Sequence, residues 1–377
     1  MNGKMIGNNK KREKEMKMKR FIVFALLAAA FVGCENEKSN IPDWFTPTGE
    51  MVEIGLGEAD TRVSLEFYND KDNLIWADGD KLGIYSAEAA STAQGYATCA
   101  NVPATIAKAN MSDDMKSASV YPQIEFNGAV ESHTFYVYYP WSTLGSTNAA
   151  TPTIAGLQLP TTQNGKIAES TITWASKTVT PTNGKYGRIG NLKLVTPFAY
   201  VRFCFSSATA QTKTISSVMM EAVKGTENND NGVVTVTGSD ANAVFCGTYT
   251  ADLTKSPVSG AEGAEYPEEG AITFTAKNNV ITVNGQKAGV TVKSYDKAQG
   301  VLMHINSSNA FAGEGNYFRI TVMFNDGTYA VTLKKAKNFE ANHIYNYGFN
   351  IDKFVQETET EIYVEPWHLI ECNVAFD

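Results

Sequence analysis

The sequence contains few of the residues on which enzymes most often rely. It has 4 histidines and 5 cysteines in 377 residues. The histidines lie far apart and match no metal-binding spacing such as His-Glu-x-x-His; they are His133, His304, His343 and His368. A Gly-x-Ser-x-Gly elbow and a phosphate-binding glycine loop are also missing from the sequence. We therefore predict that the protein is not an enzyme and that it uses no metal or other cofactor.

The sequence also lacks an apolar run long enough to span a membrane as a helix, which takes about 20 residues. Its longest apolar run, from Phe21 to Val32, is shorter, and a stretch rich in lysine and arginine precedes it. A short apolar run behind a basic stretch is typical of a secretory signal peptide. We therefore predict a signal peptide over residues 1–33.

The end of this signal indicates lipid attachment. The letters FVGC at residues 31–34 resemble a bacterial lipobox, in which the cysteine becomes the lipidated first residue of the mature chain. A lipid on Cys34 would hold the chain at a membrane surface without spanning it. Residues 34–48 then form a tether. A plain signal peptide that happens to contain a cysteine is the alternative.

Positive charge is scarce in the predicted mature chain. Residues 34–377 carry 24 Lys and Arg against 38 Asp and Glu, a net charge of −14. Such an acidic chain is poorly suited to bind phosphate backbones. We therefore predict no nucleic-acid partner.

The cysteines after Cys34 are scattered and include no Cys-x-x-Cys pair; they are Cys99, Cys204, Cys246 and Cys372. An oxidising exterior permits disulfides, but the sequence alone cannot pair these residues. Buried free thiols are the slightly favoured interpretation, and disulfides stay open.

Short runs of alternating apolar residues recur along the chain. In residues 316–335 two such runs flank Asp326-Gly327, a dipeptide that favours a tight hairpin turn. Residues 132–141 and 197–207 predict further strands, and the segment 113–120 is the best candidate for a short helix. Many short strands separated by turns predict an all-β protein built from β-sandwiches.

A stretch rich in glycine and asparagine, near residues 185–195, predicts a boundary between two tandem domains. The N-terminal β-sandwich then covers residues 49–190. The C-terminal β-sandwich covers residues 191–377 and includes a terminal strand segment, 361–377.

Six motifs, in their order along the chain, resemble the fimbrillin family of type V pilus subunits, also called Mfa-like lipoprotein precursors. They are GEADTRVSLEF (57–67), IWADGDKLGIYS (75–86), FYVYYPWS (135–142), LVTPFAYVRFCF (194–205), FEANHIYNYGFNID (339–352) and EIYVEPW (361–367). The resemblance implies that both sandwiches are transthyretin-like. It also implies that the precursor is carried to the outer membrane and cell surface, where a trypsin-like protease cuts it after an N-terminal arginine. Loss of the first strand then opens a groove, which a strand from another pilus subunit fills.

The N-terminal part of the sequence contains residues that suit this scheme. Val52, Ile54 and Leu56 alternate and predict a strand over residues 51–57 that is displaced after cleavage. Arg62 follows and is the only Lys or Arg between Lys38 and Lys71, so a trypsin-like protease has one site in this stretch. The alternative is an ordinary solvated arginine at the start of a strand.

The C-terminus offers a candidate donor strand, whose alternating apolar residues are Ile370, Cys372, Val374 and Phe376. The alternative is that residues 361–377 form the last strand pair of the second domain. A head-to-tail exchange of strands does not close on itself and therefore builds an open filament. The sequence does not decide between a stalk, tip or anchor subunit.

Two other functions stay open at this point. One is an uncleaved pilus anchor. The other is a surface lipoprotein that binds glycans through aromatic side chains, with Tyr136, Tyr138 and Trp141 as candidates.

Overall fold

The structure is a computed structural model that describes residues 45–350, except 57–63, 69–70, 94, 96–97, 165–171, 207–213, 229–232, 260–267, 286–300, 309 and 342, together with residues 362–363 and 374–375. These residues form strands, two short 3-10 turns (Lys108–Asn110 and Leu253–Lys255) and no α-helix. The all-β prediction is therefore confirmed. No helix among them is long and apolar enough to cross a membrane.

The strands of the first half are β1 (Pro47–Met51), β2 (Ile54–Leu56), β3 (Ser64–Tyr68), β4 (Lys71–Ile75), β5 (Lys81–Tyr85), β6 (Ala90–Ser91), β7 (Val102–Thr105), β8 (Ala118–Val120), β9 (Ile124–Asn127), β10 (His133–Tyr139), β11 (Thr153–Leu159), β12 (Thr162–Gln163), β13 (Thr173–Val179) and β14 (Ile189–Leu192). The strands of the second half are β15 (Phe198–Ser206), β16 (Ile215–Glu227), β17 (Val233–Ser239), β18 (Cys246–Asp252), β19 (Ile272–Asn278), β20 (Val280–Asn284), β21 (Val301–Asn306), β22 (Asn316–Phe324), β23 (Tyr329–Lys335), β24 (His343–Asn350), β25 (Ile362–Tyr363) and β26 (Val374–Ala375).

The sheets of the first half share one core. Their strand orders are β1-β9-β6, β14-β2-β8 and β13-β10-β5-β7, and β3 and β4 form a separate hairpin. Each of the three sheets contributes to one buried cluster, for example through Phe126 in β9, Ile54 in β2 and Val137 in β10. Sheets that bury their apolar faces against each other in this way form the layers of a β-sandwich.

The second half is organised around long strands. β16 pairs with β17, β20 and β22 in one sheet. A second sheet has the order β21-β15-β24-β26, and the two sheets share one hydrophobic core. The strand predicted within residues 197–207 is confirmed as β15. Its residues Val201, Phe203 and Phe205 are buried in that core, and Arg202 and Cys204 between them are buried as well. A third sheet has the order β11-β18-β19.

The predicted hairpin at Asp326-Gly327 is confirmed. β22 and β23 are antiparallel, the Phe324 amide donates to the Thr328 carbonyl at 2.9 Å, and Gly327 has a φ of 82°. The turn needs this left-handed conformation, which glycine adopts at little cost. The Thr328 amide also donates to the Asp326 side chain at 2.9 Å.

The predicted short helix over residues 113–120 is wrong. The Ser112 amide donates to the Ser117 carbonyl at 2.9 Å, which closes a turn, and the chain then enters β8. β8 alternates buried, half-buried and buried side chains, which is the period of a strand. The serine-rich composition of this stretch favours such local turns over helix.

Strand pairing crosses the predicted domain boundary. β11 pairs with β18 and β12 pairs with β20, and residue 190 itself lies inside β14. The division into domains at residues 190 and 191, and the transthyretin-like topology, stay predictions. Of the cysteines, Cys99, Cys204 and Cys246 are free and buried, and Cys372 lies outside the described residues.

Candidate functional site

We call residues 45–56 the leading segment. The candidate site consists of this segment and the strands that pair with it. The strands of the leading segment run antiparallel to residues 118–127, the first wall, because β1 pairs with β9 and β2 pairs with β8. Between these two pairs the Val52 amide donates to the Ile124 carbonyl at 2.8 Å. The paired residues are Pro47 with Asn127, Met51 with Glu125, Ile54 with Val120, Gly55 with Ser119 and Leu56 with Ala118.

A second wall, residues 186–192, lies along the other side of the leading segment. β14 runs parallel to β2, and the Ile189 amide donates to the Glu53 carbonyl at 3.0 Å. The Tyr186 amide donates to the Glu50 carboxylate at 3.1 Å. β2 is therefore the middle strand of a three-stranded sheet, paired on both sides by backbone hydrogen bonds.

The predicted apolar residues of this segment all enter the core. Val52, Ile54 and Leu56 are 1%, 0% and 3% exposed, whereas the neighbouring Met51 is 52% exposed. Burying an aliphatic side chain of this size stabilises the fold by about 1.5–3 kcal/mol. Together with the two-sided pairing, this burial makes the leading segment an integral part of the first core, although it is the N-terminal end of the described chain.

The other face of β2 is covered by a polar group of side chains that we call the Arg188 clamp: Arg188, Glu53, Ser119 and Tyr121. Arg188 Nε lies 3.1 Å from Glu53 Oε1, and Arg188 Nη2 donates to Ser119 Oγ at 2.7 Å. The Tyr121 hydroxyl donates to Glu53 Oε1 at 3.3 Å. The clamp therefore joins both walls to the strand between them.

Gly55 makes room for this clamp. A Cβ built at Gly55 would lie 2.5 Å from Arg188 Nη2, which is too close for a real contact. The guanidinium crosses β2 at this residue because glycine presents only backbone there. Arg188 and Glu53 are partly exposed, so their ion pair contributes little to stability, about 0.2–1 kcal/mol.

A buried histidine supports the start of the leading segment. The Asn127 amide donates to His133 Nε2 at 2.8 Å, and the Asn127 side-chain oxygen accepts a hydrogen bond from the Thr46 amide at 2.9 Å. The ring of Tyr186 lies edge-on to His133 at 4.6 Å between ring centres. Burial lowers the pKa of His133, and the nearby Glu88 carboxylate opposes that shift. His133 therefore accepts its hydrogen bond as a neutral imidazole.

Only some of the predicted site residues lie within the described residues. Val52, Ile54 and Leu56 lie in or beside β2, as stated above. The predicted cleavage residue, the lipidation residue and most of the donor residues lie outside the described residues: Arg62, Cys34, Ile370, Cys372 and Phe376. Their predicted roles stay predictions.

The described part of the C-terminal segment consists of two short strands at sheet edges. β25 pairs with β17, and β26 pairs with β24 through Val374 opposite Ile344 and Ala375 opposite His343. The two strands thus pair with different partners. In the sheet β21-β15-β24-β26, β26 is the last strand of the order.

The aromatic residues predicted as a glycan platform do not share an open face. Tyr138 is 0% exposed, and its hydroxyl donates to the Asn101 side-chain oxygen at 2.7 Å. Trp141 is half-buried, and its indole nitrogen donates to the Asn101 carbonyl at 3.1 Å. Tyr138 therefore cannot offer its ring to a sugar in this fold.

Sequence reasoning missed the second wall, as it missed β8 in the first wall. Residues 186–192 were predicted to lie at a domain boundary because of their glycines. Ile189 and Leu192 are three residues apart, and the pairing register shifts between them, so the period of two that marks a strand is lost. The available signal was the isoleucine and leucine themselves in an otherwise polar, glycine-rich stretch.

No protein-family model matches the sequence, and no curated protein matches it. The chain is similar to a solved structure of a proposed cell adhesion protein from Bacteroides uniformis, with 14% identity and a TM-score of 0.44, covering 82% of this chain and 95% of the other. It is similar to a fimbrial assembly protein from Parabacteroides distasonis, with 10% identity and a TM-score of 0.32, covering 79% and 89%. It is also similar to the tip fimbrial protein Mfa3 from Porphyromonas gingivalis, with 9% identity and a TM-score of 0.34, covering 79% and 94%.

Proposed function

We propose that this chain is a structural subunit of a type V pilus that contributes to adhesion. It is exported as a lipoprotein with its lipid on Cys34 and is cut after Arg62 by a trypsin-like protease. The leading segment then departs, and a strand from another subunit takes its place. The C-terminal segment around Ile370–Phe376 is the candidate donor.

One observation carries this proposal: the leading segment is an inserted strand. Its strand β2 is paired along both sides, while β1 is an edge strand beside β9, and its apolar residues Val52, Ile54 and Leu56 fill the core between the walls. Its removal would leave two unpaired strand edges and an apolar slot, which is a template for the addition of an extended strand.

The free energy gained by burying apolar side chains decides whether a donor strand would stay bound in the slot. Three buried aliphatic side chains at about 1.5–3 kcal/mol each, plus the hydrogen bonds of both walls, exceed the contribution of the exposed ion pair several-fold. An incoming strand with apolar residues at the same spacing of two regains most of this free energy. The subunits joined in this way form an open chain, because the donor and the slot lie in different parts of the molecule.

The test begins with brief trypsin treatment of the full chain, followed by N-terminal sequencing and electron microscopy. We expect a new N-terminus at Val63 and filaments in the treated sample. The Arg62→Gln variant should give neither product, whereas Lys71→Gln, at the next basic residue, should give both. A mature surface form that keeps lipidated Cys34 and stays monomeric contradicts the proposal and points to an uncleaved anchor.

A further inference from the structure

We propose, on the basis of the function proposed above, that Arg188 selects the incoming strand by pairing with Glu371 of a second copy of this chain. This pair sets the register in which the donor enters the slot. Arg188 thereby acts as a specificity residue of the exchange, in addition to holding the leading segment in the intact chain.

The walls supply the first argument. When the leading segment leaves, Glu53 leaves with it, whereas Arg188 stays on the second wall and Ser119 and Tyr121 stay on the first. The slot then presents a guanidinium and the Tyr121 hydroxyl, which both contacted the carboxylate, and the Ser119 hydroxyl, which accepts a hydrogen bond from the guanidinium. A donor with a carboxylate at this point restores the whole arrangement, and a donor without one leaves the cation without its counter-charge.

The sequence supplies the second argument, because the C-terminal segment repeats the pattern of the leading segment. Residues 52–56 read Val-Glu-Ile-Gly-Leu, and residues 370–374 read Ile-Glu-Cys-Asn-Val. Both are an apolar residue, a glutamate, an apolar residue, a small residue and an apolar residue. Laying one on the other places Glu371 where Glu53 lies against Arg188.

Charge decides between two registers that apolar residues alone would allow. A donor shifted by two residues would place Cys372, Val374 and Phe376 at the three core positions. Asn373 would then face Arg188, and a phenylalanine would have to fit where Leu56 is 3% exposed. The unshifted register brings a carboxylate to Arg188 and side chains of suitable size to the core. A shift in the other direction would bury His368 in place of Val52.

One position differs between the two segments. Asn373 would lie where Gly55 now lies, and a Cβ there meets the far end of the Arg188 side chain. That end is flexible, so the guanidinium can move aside and still reach Glu371. The donor must also release β26 from β24, and within the described residues that pairing joins Val374 to Ile344 and Ala375 to His343 at a sheet edge.

The experiment measures the affinity of a labelled peptide, residues 365–377, for the full chain that has been cut after Arg62 and freed of its N-terminal fragment. We expect the Glu371→Gln peptide to bind about threefold to tenfold more weakly than the natural peptide. The Arg188→Gln chain should lose affinity for the natural peptide by a similar factor. Combining the two changes should cost no more than either one, because both remove the same contact.

Two matched controls accompany these variants. The Glu365→Gln peptide removes a glutamate that would take the position of Pro47, away from Arg188, and should bind within about twofold of the natural peptide. The Arg319→Gln chain removes an arginine that pairs with Glu221 in another sheet, and it should also bind normally. The exchanged pair, Arg188→Glu with a Glu371→Lys peptide, should regain affinity relative to either charge reversal alone.

A disulfide reports the register directly. In the proposed register Cys372 takes the position of Ile54, which is paired with Val120. A Val120→Cys chain should therefore form a disulfide with the peptide, whereas an Ile124→Cys chain should not. The chain's own Cys372 is replaced by serine for this experiment. The remaining thiols are buried, and burial raises the pKa of Cys246 to about 12, so they react slowly.

The outcomes separate the two proposals. If no peptide binds the cut chain, the strand-exchange function fails. If the natural peptide binds but neither Glu371→Gln nor Arg188→Gln weakens it, or if Ile124→Cys forms the disulfide instead of Val120→Cys, strand exchange stands and the role of Arg188 is overturned.

Discussion

The leading segment and the two described C-terminal strands, β25 and β26, lie at opposite ends of the described residues, and they are held in different ways. β2 is a middle strand with a neighbour on each side, and its apolar side chains fill the first core. β25 and β26 each comprise two described residues, and within the described part of the chain each pairs with a single neighbour. A strand that is paired on both sides can leave only after the chain is cut, and its removal costs a large free energy. A strand held by one short edge pairing exchanges more readily. This difference fits the proposed roles, with the leading segment as the displaced strand and the C-terminal segment as the donor.

The largest expected effect is at the core of the leading segment. Ile54→Ala removes a side chain that is 0% exposed and should lower the free energy of unfolding by about 2–5 kcal/mol. Val374→Pro removes a backbone donor from the edge strand β26 and should cost less than about 1.5 kcal/mol. Urea unfolding of the full chain measures both. Equal losses for the two variants would break the comparison.

A smaller effect is expected at the crossing of Arg188 over β2. Gly55→Ala places a methyl group where the guanidinium lies, so the end of the Arg188 side chain must move aside and its contacts with Glu53 and Ser119 become weaker. We expect a loss of about 0.5–1.5 kcal/mol in the free energy of unfolding. Gly190→Ala is the matched control, because a Cβ at that glycine of the second wall meets nothing within 4 Å. A loss at Gly190 as large as that at Gly55 would show that the clamp is not the cause.

The pH dependence of the free energy of unfolding should show the contribution of His133, which supports the start of the leading segment through Asn127. Because burial lowers the pKa of His133 in the folded chain, the unfolded chain binds the proton more readily. The contribution is fully present above the ordinary histidine pKa, about 6.5, and is lost as the pH falls below it toward the folded pKa. Urea midpoints measured from pH 7.5 downwards should therefore decrease more steeply for the natural chain than for His133→Gln. Parallel curves would exclude this histidine as the source.

The sequence predicts the regular strands and the apolar face of the leading segment because alternation is a local property. In residues 316–335 the alternation and the Asp326-Gly327 turn together specify the hairpin. The two walls that pair with the leading segment have no such local pattern, since they come from residues that are far from it in the chain. β8 lies within a serine-rich stretch with turn character, and β14 has an irregular register. Pairing between such distant and irregular strands leaves no local pattern, so neither wall was predicted.

The role of Arg188 has a similar explanation. As a single arginine in a glycine-rich stretch, it carries no motif. Its significance arises only when the fold places it over Gly55 and beside Glu53. The match between residues 52–56 and 370–374 was present in the sequence, but only the clamp shows why the glutamate within it matters.

Hydrogen–deuterium exchange at the two walls tests the central claim most directly. The amides of Ala118–Val120 and Ile189–Leu192 are followed in the intact chain, in the chain cut after Arg62 and freed of its N-terminal fragment, and in the assembled product. We expect slow exchange in the intact chain, fast exchange in the empty slot and slow exchange again after assembly. Walls that keep the same protection in all three states would contradict it, because no strand would then have left or entered.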